Sequence, residues 1–421
     1  MEKYNTQHYD NICIVDAYST GRKLAYEFSK FGKKCIHIRS SLNHSDDPKR
    51  GEFIAEIQYD GNLFSLKDEL KKFNPLFIIA GSEMGVELAD KLTEIFNIQK
   101  SNNPTTTLLR RNKFHMHEKL KECNIKYIKQ FKSKNLLEIM NWAEINKKWP
   151  VVIKPLNSAA SDGVTICSNT NEIENAVSRI LYQENKLGIK NEEVLIQEYV
   201  EGTQYFINTV SWNGIHYVSD IWKQNRRRLK DRAFLFESMS LCDSEDKIEC
   251  ELINYTKSIL NSLDLSHGAA HNEVMLTKEG PVLIELNARL MGASIEDEAF
   301  KQALEYTQAE ILALAYCDPD RFMENFANKK YIKKQHLNEV SFIFEKNGVL
   351  IDFPKKYSIE RMYSFFCFSG LKQIGTNVTK TEDTLGSPGY VYLVHHDEKI
   401  ITKDTEQILK WQRNNDLFII E

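Results

Sequence analysis

Short apolar runs alternate with amphipathic stretches over the first hundred residues. Residues 12–15 (ICIV), 34–38 and 75–81 predict strands, because each is a compact segment rich in apolar side chains. Apolar residues at helical spacing predict helices at 22–31, 66–73 and 86–96. Strands and helices in alternation favour a parallel sheet covered by helices, so residues 1–105 are expected to form a Rossmann-like α/β domain.

After the polar segment SNNPTTT (101–107), the order of elements changes. A helix capped by Asn112 is followed by strands that favour antiparallel pairing, so residues 106–328 are expected to form an α+β unit. A basic linker then leads to a smaller α+β domain at 329–421. The strands predicted in these two parts lie at 149–156, 163–167, 194–199, 205–211, 215–222, 339–344 and 389–395, and the helices at 173–185 and 405–413.

Composition excludes several classes of protein. The chain has 421 residues and a net charge of -4, which gives no overall field that would attract nucleic acid or an anionic membrane. No apolar run is long enough to span a bilayer and the first residues are polar, so a cytoplasmic protein is expected. The 8 cysteines contain no C-x-x-C pair and are interpreted as reduced core residues. The turn after the first strand lacks G-x-G-x-x-G, which argues against a dinucleotide oxidoreductase.

A hairpin is predicted at residues 271–288. Its turn contains Lys278, Glu279 and Gly280, which suits a three-residue loop with glycine in the left-handed conformation. This register places Glu273 directly opposite Glu285, with β-carbons about 4.5–5.5 Å apart.

The second strand of this hairpin alternates in polarity. Its apolar residues are expected on one buried face and its polar residues on the other. The apolar set is Val282, Ile284, Leu286 and Ala288, and the polar set is Glu285, Asn287 and Arg289.

Two carboxylates that face each other on a sheet need a compensating cation, a shared proton or exposure to water. Glu273, Glu285 and the amide oxygen of Asn287 are ligand types that Mg²⁺ accepts, with water and phosphate oxygens completing its coordination. The alternative is an ordinary solvated face on which Arg289 pairs with one glutamate. Other anion-binding segments must decide between the two.

Three further segments contain residue types suited to a nucleotide. Lys154 lies inside an apolar strand and precedes a loop of small residues, 158–163, whose backbone amides can approach a phosphate. Lys113 lies in the first turn of a helix, and the strand at 194–199 enters a short connection that can present backbone groups to an adenine ring. Each segment also has a structural explanation, as a hairpin turn or a solvated helical lysine. The basic run at 226–232 is interpreted as a solvated or phosphate-adjacent loop.

The order of these four segments resembles the ATP-grasp ligase superfamily over residues 97–294, and especially the carboxylate–amine ligases that include L-amino acid ligases making dipeptides. The resemblance implies an ATP-grasp fold in which ATP lies between two α+β lobes, with an α/β domain before it and a small closing domain after it. Two departures are visible: the covering loop at 158–163 has one glycine, and Gln204 stands where a ribose-binding acid is common.

The resemblance also implies roles for individual residues. Arg289 and Lys154 are implied to be catalytic, Arg289 by facing the reacting carboxyl group. Glu273, Glu285 and Asn287 are implied to hold one or two Mg²⁺ ions, for which Mn²⁺ can substitute. The implied ATP-binding residues are Lys113, Lys154, Ser158, Ser161, Gly163, Gln197, Glu198, Tyr199, Val200 and Gln204.

The substrate pocket is expected to involve Arg289, Met291, Gly292 and His271, and to extend to residue 294. His271 is a candidate base for the attacking amine, or else a structural or substrate-orienting residue.

The activity implied is ATP-dependent formation of an amide or peptide bond between a small carboxylate and a small amine, with amino acids as the expected substrates. The carboxylate would be activated as an acyl phosphate, and ADP and phosphate would be released. A carboxylase-like enzyme that activates bicarbonate and a non-catalytic nucleotide-binding regulatory module are the alternatives. The resemblance also makes a homodimer plausible.

Overall fold

The computed structural model describes residues 11–41, 52–158, 162–186, 188–228, 234–292, 296–382 and 386–421. Ser161, residues 293–294 of the expected pocket and residues 229–232 of the basic run lie outside the described residues. Within those ranges, no helix combines the length and the hydrophobicity that crossing a bilayer would require.

The N-terminal part is a parallel sheet with helices on both faces, as the sequence predicts. Its elements are β1 (Asn11–Val15), α1 (Leu24–Ser29), β2 (Lys34–Arg39), β3 (Ala55–Gln58), α2 (Leu63–Lys71), β4 (Pro75–Ala80) and α3 (Val86–Ile95). The strand order is β3-β2-β1-β4. Side chains of β1 alternate between two cores, with Ile12 and Ile14 packed against α1 and Cys13 and Val15 packed against α2 and α3. Strand β3 was not predicted from the sequence.

An antiparallel four-stranded sheet follows and has its own core. Its strand order is β5-β8-β6-β7, and helices α6 and α7 pack against it. The elements of this part are α4 (Thr107–Arg111), α5 (Lys113–Glu122), β5 (Gln130–Ser133), α6 (Leu136–Asn146), β6 (Val151–Pro155), β7 (Thr165–Cys167), α7 (Thr170–Ile180) and β8 (Val194–Glu198).

The largest sheet has eight strands, in the order β13-β12-β9-β10-β11-β14-β18-β16. Its first five strands come from the middle of the chain and pack against helices that share the main hydrophobic core. The elements are β9 (Thr203–Trp212), β10 (Ile215–Arg227), β11 (Leu235–Leu241), α8 (Lys247–Ser262), β12 (Gly268–Thr277), β13 (Gly280–Asn287), α9 (Asp297–Leu304), α10 (Gln308–Cys317) and α11 (Pro319–Phe326).

The C-terminal residues complete this sheet and add a small one. Strand β14 pairs with β11, so the large sheet continues across the expected domain boundary at residue 329. Strands β17, β15 and β19 form a separate sheet in that order. The elements are β14 (His336–Ser341), β15 (Gly348–Asp352), α12 (Lys356–Glu360), β16 (Phe365–Ser369), β17 (Asn377–Val378), β18 (Tyr390–His395), α13 (Glu398–Arg413) and β19 (Ile419–Ile420).

The cysteines are free thiols, but their burial varies more than expected. Cys13, Cys35 and Cys167 are buried and four others are partly buried, whereas Cys123 is exposed at the end of α5. The interpretation of Cys123 as a core residue is therefore wrong.

Candidate active site

The β12–β13 hairpin has the predicted pairing at its acidic end. Glu273 pairs with Glu285 and His271 pairs with Asn287. The loop is shorter than predicted, because Gly280 already pairs with Thr277 and only residues 278–279 form the turn. Gly280 does have the expected positive φ, of 99°.

A β-bulge reconciles the shorter loop with the correct register. Val274 pairs with Leu283 and Glu273 with Glu285, which leaves Ile284 without a partner on β12. The predicted common face of Val282, Ile284 and Leu286 is therefore wrong. Leu283 and Leu286 face the main core, whereas Val282 and Ile284 lie on the other face in a small cluster with Met275.

Two lysines that are distant in sequence meet at the acidic pair. Asn112 caps α5 through hydrogen bonds from the amides of Phe114 and His115, as predicted, and this places Lys113 in the first helical turn. Lys113 Nζ lies 2.7 Å from Glu285 Oε1 and donates to the Ser158 carbonyl at 2.9 Å. Lys154 lies on the buried strand β6.

The charges of this cluster depend on one another. Burial, followed by the charge of Lys113, lowers the pKa of Lys154 to about 8, against the opposing effect of Glu285 and Glu273. Burial and the facing carboxylate of Glu285 raise the pKa of Glu273 to about 7. The site thus contains two cations and two carboxylates. The lysines favour the charged form of the carboxylates, and the carboxylates favour the charged form of the lysines.

Gln204 is held between one carboxylate of the acidic pair and an arginine. Its Nε2 donates to Glu273 Oε2 at 2.8 Å, and its Oε1 accepts from a guanidinium nitrogen of Arg226. In this arrangement Gln204 bridges Glu273 to a cation that the sequence analysis did not assign to the site. The only signal for Arg226 was the basic run that it begins.

The small loop after β6 is described only at its ends. The hydroxyl of Ser158 donates to Asp162 Oδ2 at 2.8 Å, and Gly163 turns with a φ of 66°. A β-carbon at Gly163 would lie 3.1 Å from Pro155 Cδ, so glycine suits both the conformation and the space.

The expected adenine hinge connects β8 to β9. Gln197 is buried and its side chain donates to Gln130 Oε1 at 2.9 Å, so it faces β5. Glu198 lies 3.5 Å from Lys148 Nζ. Val200 packs on the cluster that contains Ile128, Met275 and Val282, which forms an apolar floor beside the hinge.

A buried polar row holds His271. His271 Nδ1 contacts Asn208 Oδ1 at 2.8 Å, and Asn208 Nδ2 donates to Asp220 Oδ1. His271 Nε2 lies 3.8 Å from Glu273 Oε1. Burial and the charge of Arg289 lower the pKa of His271 well below its usual value.

The expected pocket residues after β13 differ in exposure. Arg289 is partly buried, and its Nε lies 3.2 Å from Glu83 Oε2 of the N-terminal part. Met291 is buried, and its sulfur accepts from Asn208. Gly292 is partly buried, and a β-carbon built on it would lie 3.9 Å from Ser19 Oγ.

The acidic pair fits a hard divalent cation of the kind that also binds phosphate. Glu273, Glu285 and Asn287 bring two carboxylates and an amide to adjacent positions of one hairpin. No cluster of three or more histidine, cysteine or acidic side chains suited to a metal occurs among the described residues. This donor set suits Mg²⁺, which commonly takes one or two protein carboxylates and completes its coordination with water and phosphate.

Four residues of the site were not predicted from the sequence, namely Glu83, Asn208, Asp220 and Arg226. Asn208 and Asp220 lie in largely apolar strands, beside Thr209 and Ser219, which was a usable signal because a polar group in a core needs a partner. Glu83 follows a predicted strand in the sequence GSEMG, where no pattern indicated that it would reach another part of the chain.

Comparison with known proteins agrees with this fold. Residues 147–297 match the ATP-grasp domain family. Dapdiamide A synthase from Enterobacter agglomerans is 28% identical over 414 residues, covering 94% of both chains. The chain is therefore similar to ATP-grasp domains over residues 147–297 and to this synthase over almost its whole length.

Solved structures support the fold over the whole length. The crystal structure of L-amino acid ligase from Bacillus licheniformis superposes with a TM-score of 0.76 at 16% identity, covering 99% of both chains. N5-carboxyaminoimidazole synthase from Aspergillus clavatus, in complex with ADP and 5-aminoimidazole ribonucleotide, gives a TM-score of 0.68 at 9% identity, covering 96% of this chain and 99% of that one. The predicted ATP-grasp fold class is confirmed.

Proposed function

We propose that this protein is an ATP-dependent ligase that joins a small carboxylate to a small amine, with amino acids as substrates. The observation that carries the proposal is the meeting of Lys113 and Lys154 with the acidic pair Glu273 and Glu285. Cations for a polyanionic triphosphate and carboxylates for its metal are thus held in one site. The similarity to dapdiamide A synthase and to an L-amino acid ligase supports this class of reaction over bicarbonate activation.

The first step is phosphoryl transfer. A carboxylate oxygen of the substrate attacks the γ-phosphorus of ATP, the bond to the bridging oxygen breaks, and ADP leaves. Such a reaction is catalysed mainly by positioning and neutralisation of charge, which Lys113 and Lys154 can supply. Glu273, Glu285 and Asn287 would hold one or two Mg²⁺ ions, or Mn²⁺ in their place, which supply further positive charge to the phosphates.

The second step is attack of the amine nitrogen on the acyl carbon. The carbon–oxygen bond to phosphate breaks, and the nitrogen loses one proton as the amide forms. Arg289 is proposed to bind the reacting carboxyl group and to stabilise the negative oxygen that develops on it. His271 stays a candidate for receiving the proton or for orienting the amine.

The nucleotide is proposed to lie against the apolar cluster beside the hinge. Val200, Met275 and Val282 would contact the adenine, and backbone groups of residues 197–200 would bind its edge. A ribose contact from Gln204 requires that its amide leave Glu273, to which it now donates. Ser158, Gly163 and the loop between them are proposed to cover the phosphates.

Several sequence expectations remain predictions. They are the division at residues 105 and 328, the homodimer, the cytoplasmic location and the substitution of Mn²⁺ for Mg²⁺.

The decisive experiment measures phosphate release with Mg-ATP and pairs of amino acids, with products identified by mass spectrometry. We expect turnover only when both a carboxylate and an amine are present, and Glu285→Gln should abolish it. Glu279→Gln is the matched control, because Glu279 lies in the turn of the same hairpin with an 88% exposed side chain.

The alternatives give different results in the same assay. Phosphate release that depends on bicarbonate and not on amino acids would indicate a carboxylase-like enzyme. ATP binding without turnover for any pair would indicate a regulatory module, and full activity of Glu285→Gln would contradict the assigned site.

A further inference from the structure

Glu83 is a buried carboxylate of the N-terminal part that reaches the proposed ligase site. It lies in the short segment after β4 and is 6% exposed. Its Oε1 accepts from Arg111 Nη1, and its Oε2 lies 3.2 Å from Arg289 Nε. One side chain from outside the ATP-grasp region therefore joins the residue before the Asn112 cap of α5 to the arginine after β13.

The backbone that carries Glu83 is held tightly against the first strand of the N-terminal sheet. Gly81 N donates to the Val15 carbonyl at 2.7 Å. A β-carbon on Gly85 would lie 2.4 Å from the same carbonyl oxygen, and one on Gly21 would lie 2.0 Å from Gly81 O. Only glycine fits such approaches, so the position of Glu83 is set by close backbone packing.

The guanidinium of Arg289 keeps hydrogen-bond donors available beside Glu83. Glu83 and Glu87 together balance the charges of Arg111 and Arg289, because Glu87 Oε1 lies 3.7 Å from Arg111 Nε. Arg289 Nη1 donates to the Leu290 carbonyl at 2.8 Å, and Nη2 has no protein partner among the described residues. The contact of Glu83 Oε2 with Arg289 is an ion pair without an aligned hydrogen bond, so it restrains the guanidinium while leaving donors for an anion.

The neighbouring pair of Arg110 and Asp90 shows what a purely structural contact looks like here. Arg110 is fully buried and donates to Asp90 Oδ2 at 2.9 Å. Its remaining hydrogen bonds go to Thr106 and to carbonyl oxygens of residues 103, 263 and 264. Arg110 therefore joins two parts of the chain without contacting a proposed substrate-binding residue, whereas Glu83 contacts Arg289.

We propose that Glu83 is a positioning residue for the reaction: it holds Arg289 where the carboxylate substrate binds, so the N-terminal domain is part of that binding site. The inference rests on the proposed ligase function. Its physical basis is that an ion pair restricts the orientations of a long side chain before the substrate arrives, which reduces the ordering needed on binding.

The first test observes the ion pair without any turnover. In a spectrum that correlates the Nε nitrogen of each arginine with its proton, the Arg289 signal is assigned by its loss in Arg289→Lys. We expect Glu83→Gln to shift this signal and Glu87→Gln to leave it in place. Glu87 is the matched control, because its Oε1 lies 3.7 Å from Arg111 Nε and it has no contact with Arg289. An Arg289 signal that is the same in Glu83→Gln and wild type would overturn the inference.

The second test uses the amino-acid pair that gives the highest phosphate release in the screen above. Glu83→Gln should raise KM for the amino acid that supplies the carboxylate about tenfold, while KM for ATP stays unchanged. In the Arg289→Lys background the same change should have little further effect, because Glu83 acts through Arg289. Equal effects in both backgrounds, or a parallel rise of KM for ATP, would contradict the proposal.

A charge-retaining variant covers the case in which Glu83→Gln does not fold. Glu83→Asp keeps the carboxylate and should raise the same KM by a smaller factor, again only when Arg289 is present. If no amino-acid pair supports phosphate release, the proposed function fails, and the arginine spectrum still decides whether Glu83 restrains Arg289.

Discussion

Asp220 is a buried carboxylate that accepts hydrogen bonds from three side chains. The donors are Trp222 Nε1 at 2.6 Å, Ser219 Oγ at 2.7 Å and Asn208 Nδ2 at 2.5 Å. Burial raises the pKa of Asp220, against the effect of these donors. Asn208 also contacts His271, a proposed substrate-site residue, so Asp220 supports the His271 ring through Asn208.

We expect Asp220→Ala to reduce the free energy of unfolding by about 3 kcal/mol, because it leaves buried donors without an acceptor. Asp220→Asn should cost less, since its amide oxygen can still accept from Trp222 and Asn208 while Ser219 accepts from the amide. Unfolding by urea, followed by tryptophan fluorescence, measures both changes. Equal losses for the two variants would show that the hydrogen bonds of Asp220 contribute little.

Single residues could be predicted from sequence where their local context was unusual. Lys154 inside an apolar strand and two glutamates at facing hairpin positions indicated a site, and the structure brings them together with Lys113. Glu83 and Arg226 could not be placed in the same way. Their contacts join segments that are far apart in the chain, and their own neighbours in sequence carry no trace of the partner.

The β12–β13 hairpin shows how a register can be correct although its loop is not. The sequence predicts a three-residue loop, and the structure has a two-residue turn with Ile284 as an extra residue four positions later. The two deviations cancel at the acidic end of the hairpin. Turn residues indicate a turn but do not locate a bulge, since a bulge depends on packing across the sheet.

We expect deletion of Ile284 to preserve the acidic pair. Removal of the one residue without a partner converts the strand to regular alternation, with Leu283 and Leu286 still in the core and Glu285 still opposite Glu273. The cost should be about 1–2 kcal/mol, from lost contacts of Ile284 in the small apolar cluster. ATP binding by calorimetry, together with urea unfolding, measures the outcome.

Deletion of Leu286 is the matched control. It would move Asn287 to the core face and displace Arg289, so ATP-dependent turnover should be lost and stability should fall further. A folded Ile284-deleted protein that no longer binds ATP would contradict this account of the bulge.

The eight-stranded sheet joins parts of the molecule that the sequence separates. After residue 329 local spacing predicts β14, β18 and the end of α13 but not the other elements, and before it β11 is not predicted. In the structure β14 pairs with β11 across that position. The basic linker indicated a boundary because it is polar and lacks periodicity. Strand pairing over long separations depends on packing of the whole chain, which is why β14 could be predicted as a strand and its pairing with β11 could not.

Glu339 lies on β14, close to this junction, and gives the sheet a pH-dependent stability. It is buried, it accepts from the Tyr392 hydroxyl at 2.6 Å, and Met239 faces it on β11. Burial raises the pKa of Glu339 to about 7. The other titratable groups that Glu339 affects are Tyr390 and Tyr392. Burial raises the pKa values of both tyrosines, which moves them further from neutral pH.

The sign of the effect follows from proton binding. With a pKa near 7 the folded protein holds this proton more tightly than the unfolded chain, in which the carboxyl group has its ordinary pKa. Stability is therefore greatest at acidic pH and falls as pH rises through 7, where the buried group must ionise or keep its proton at a cost.

We expect Glu339→Gln to remove this loss, because the amide can still accept from Tyr392 and does not ionise. At pH 8 the variant should be more stable than wild type by about 2–3 kcal/mol, and at pH 5 the difference should be much smaller. Urea unfolding at the two pH values measures this, with the exposed Glu406→Gln on α13 as control. An equal decline with pH in wild type and in Glu339→Gln would mean that the proton on Glu339 does not contribute to the stability of this sheet.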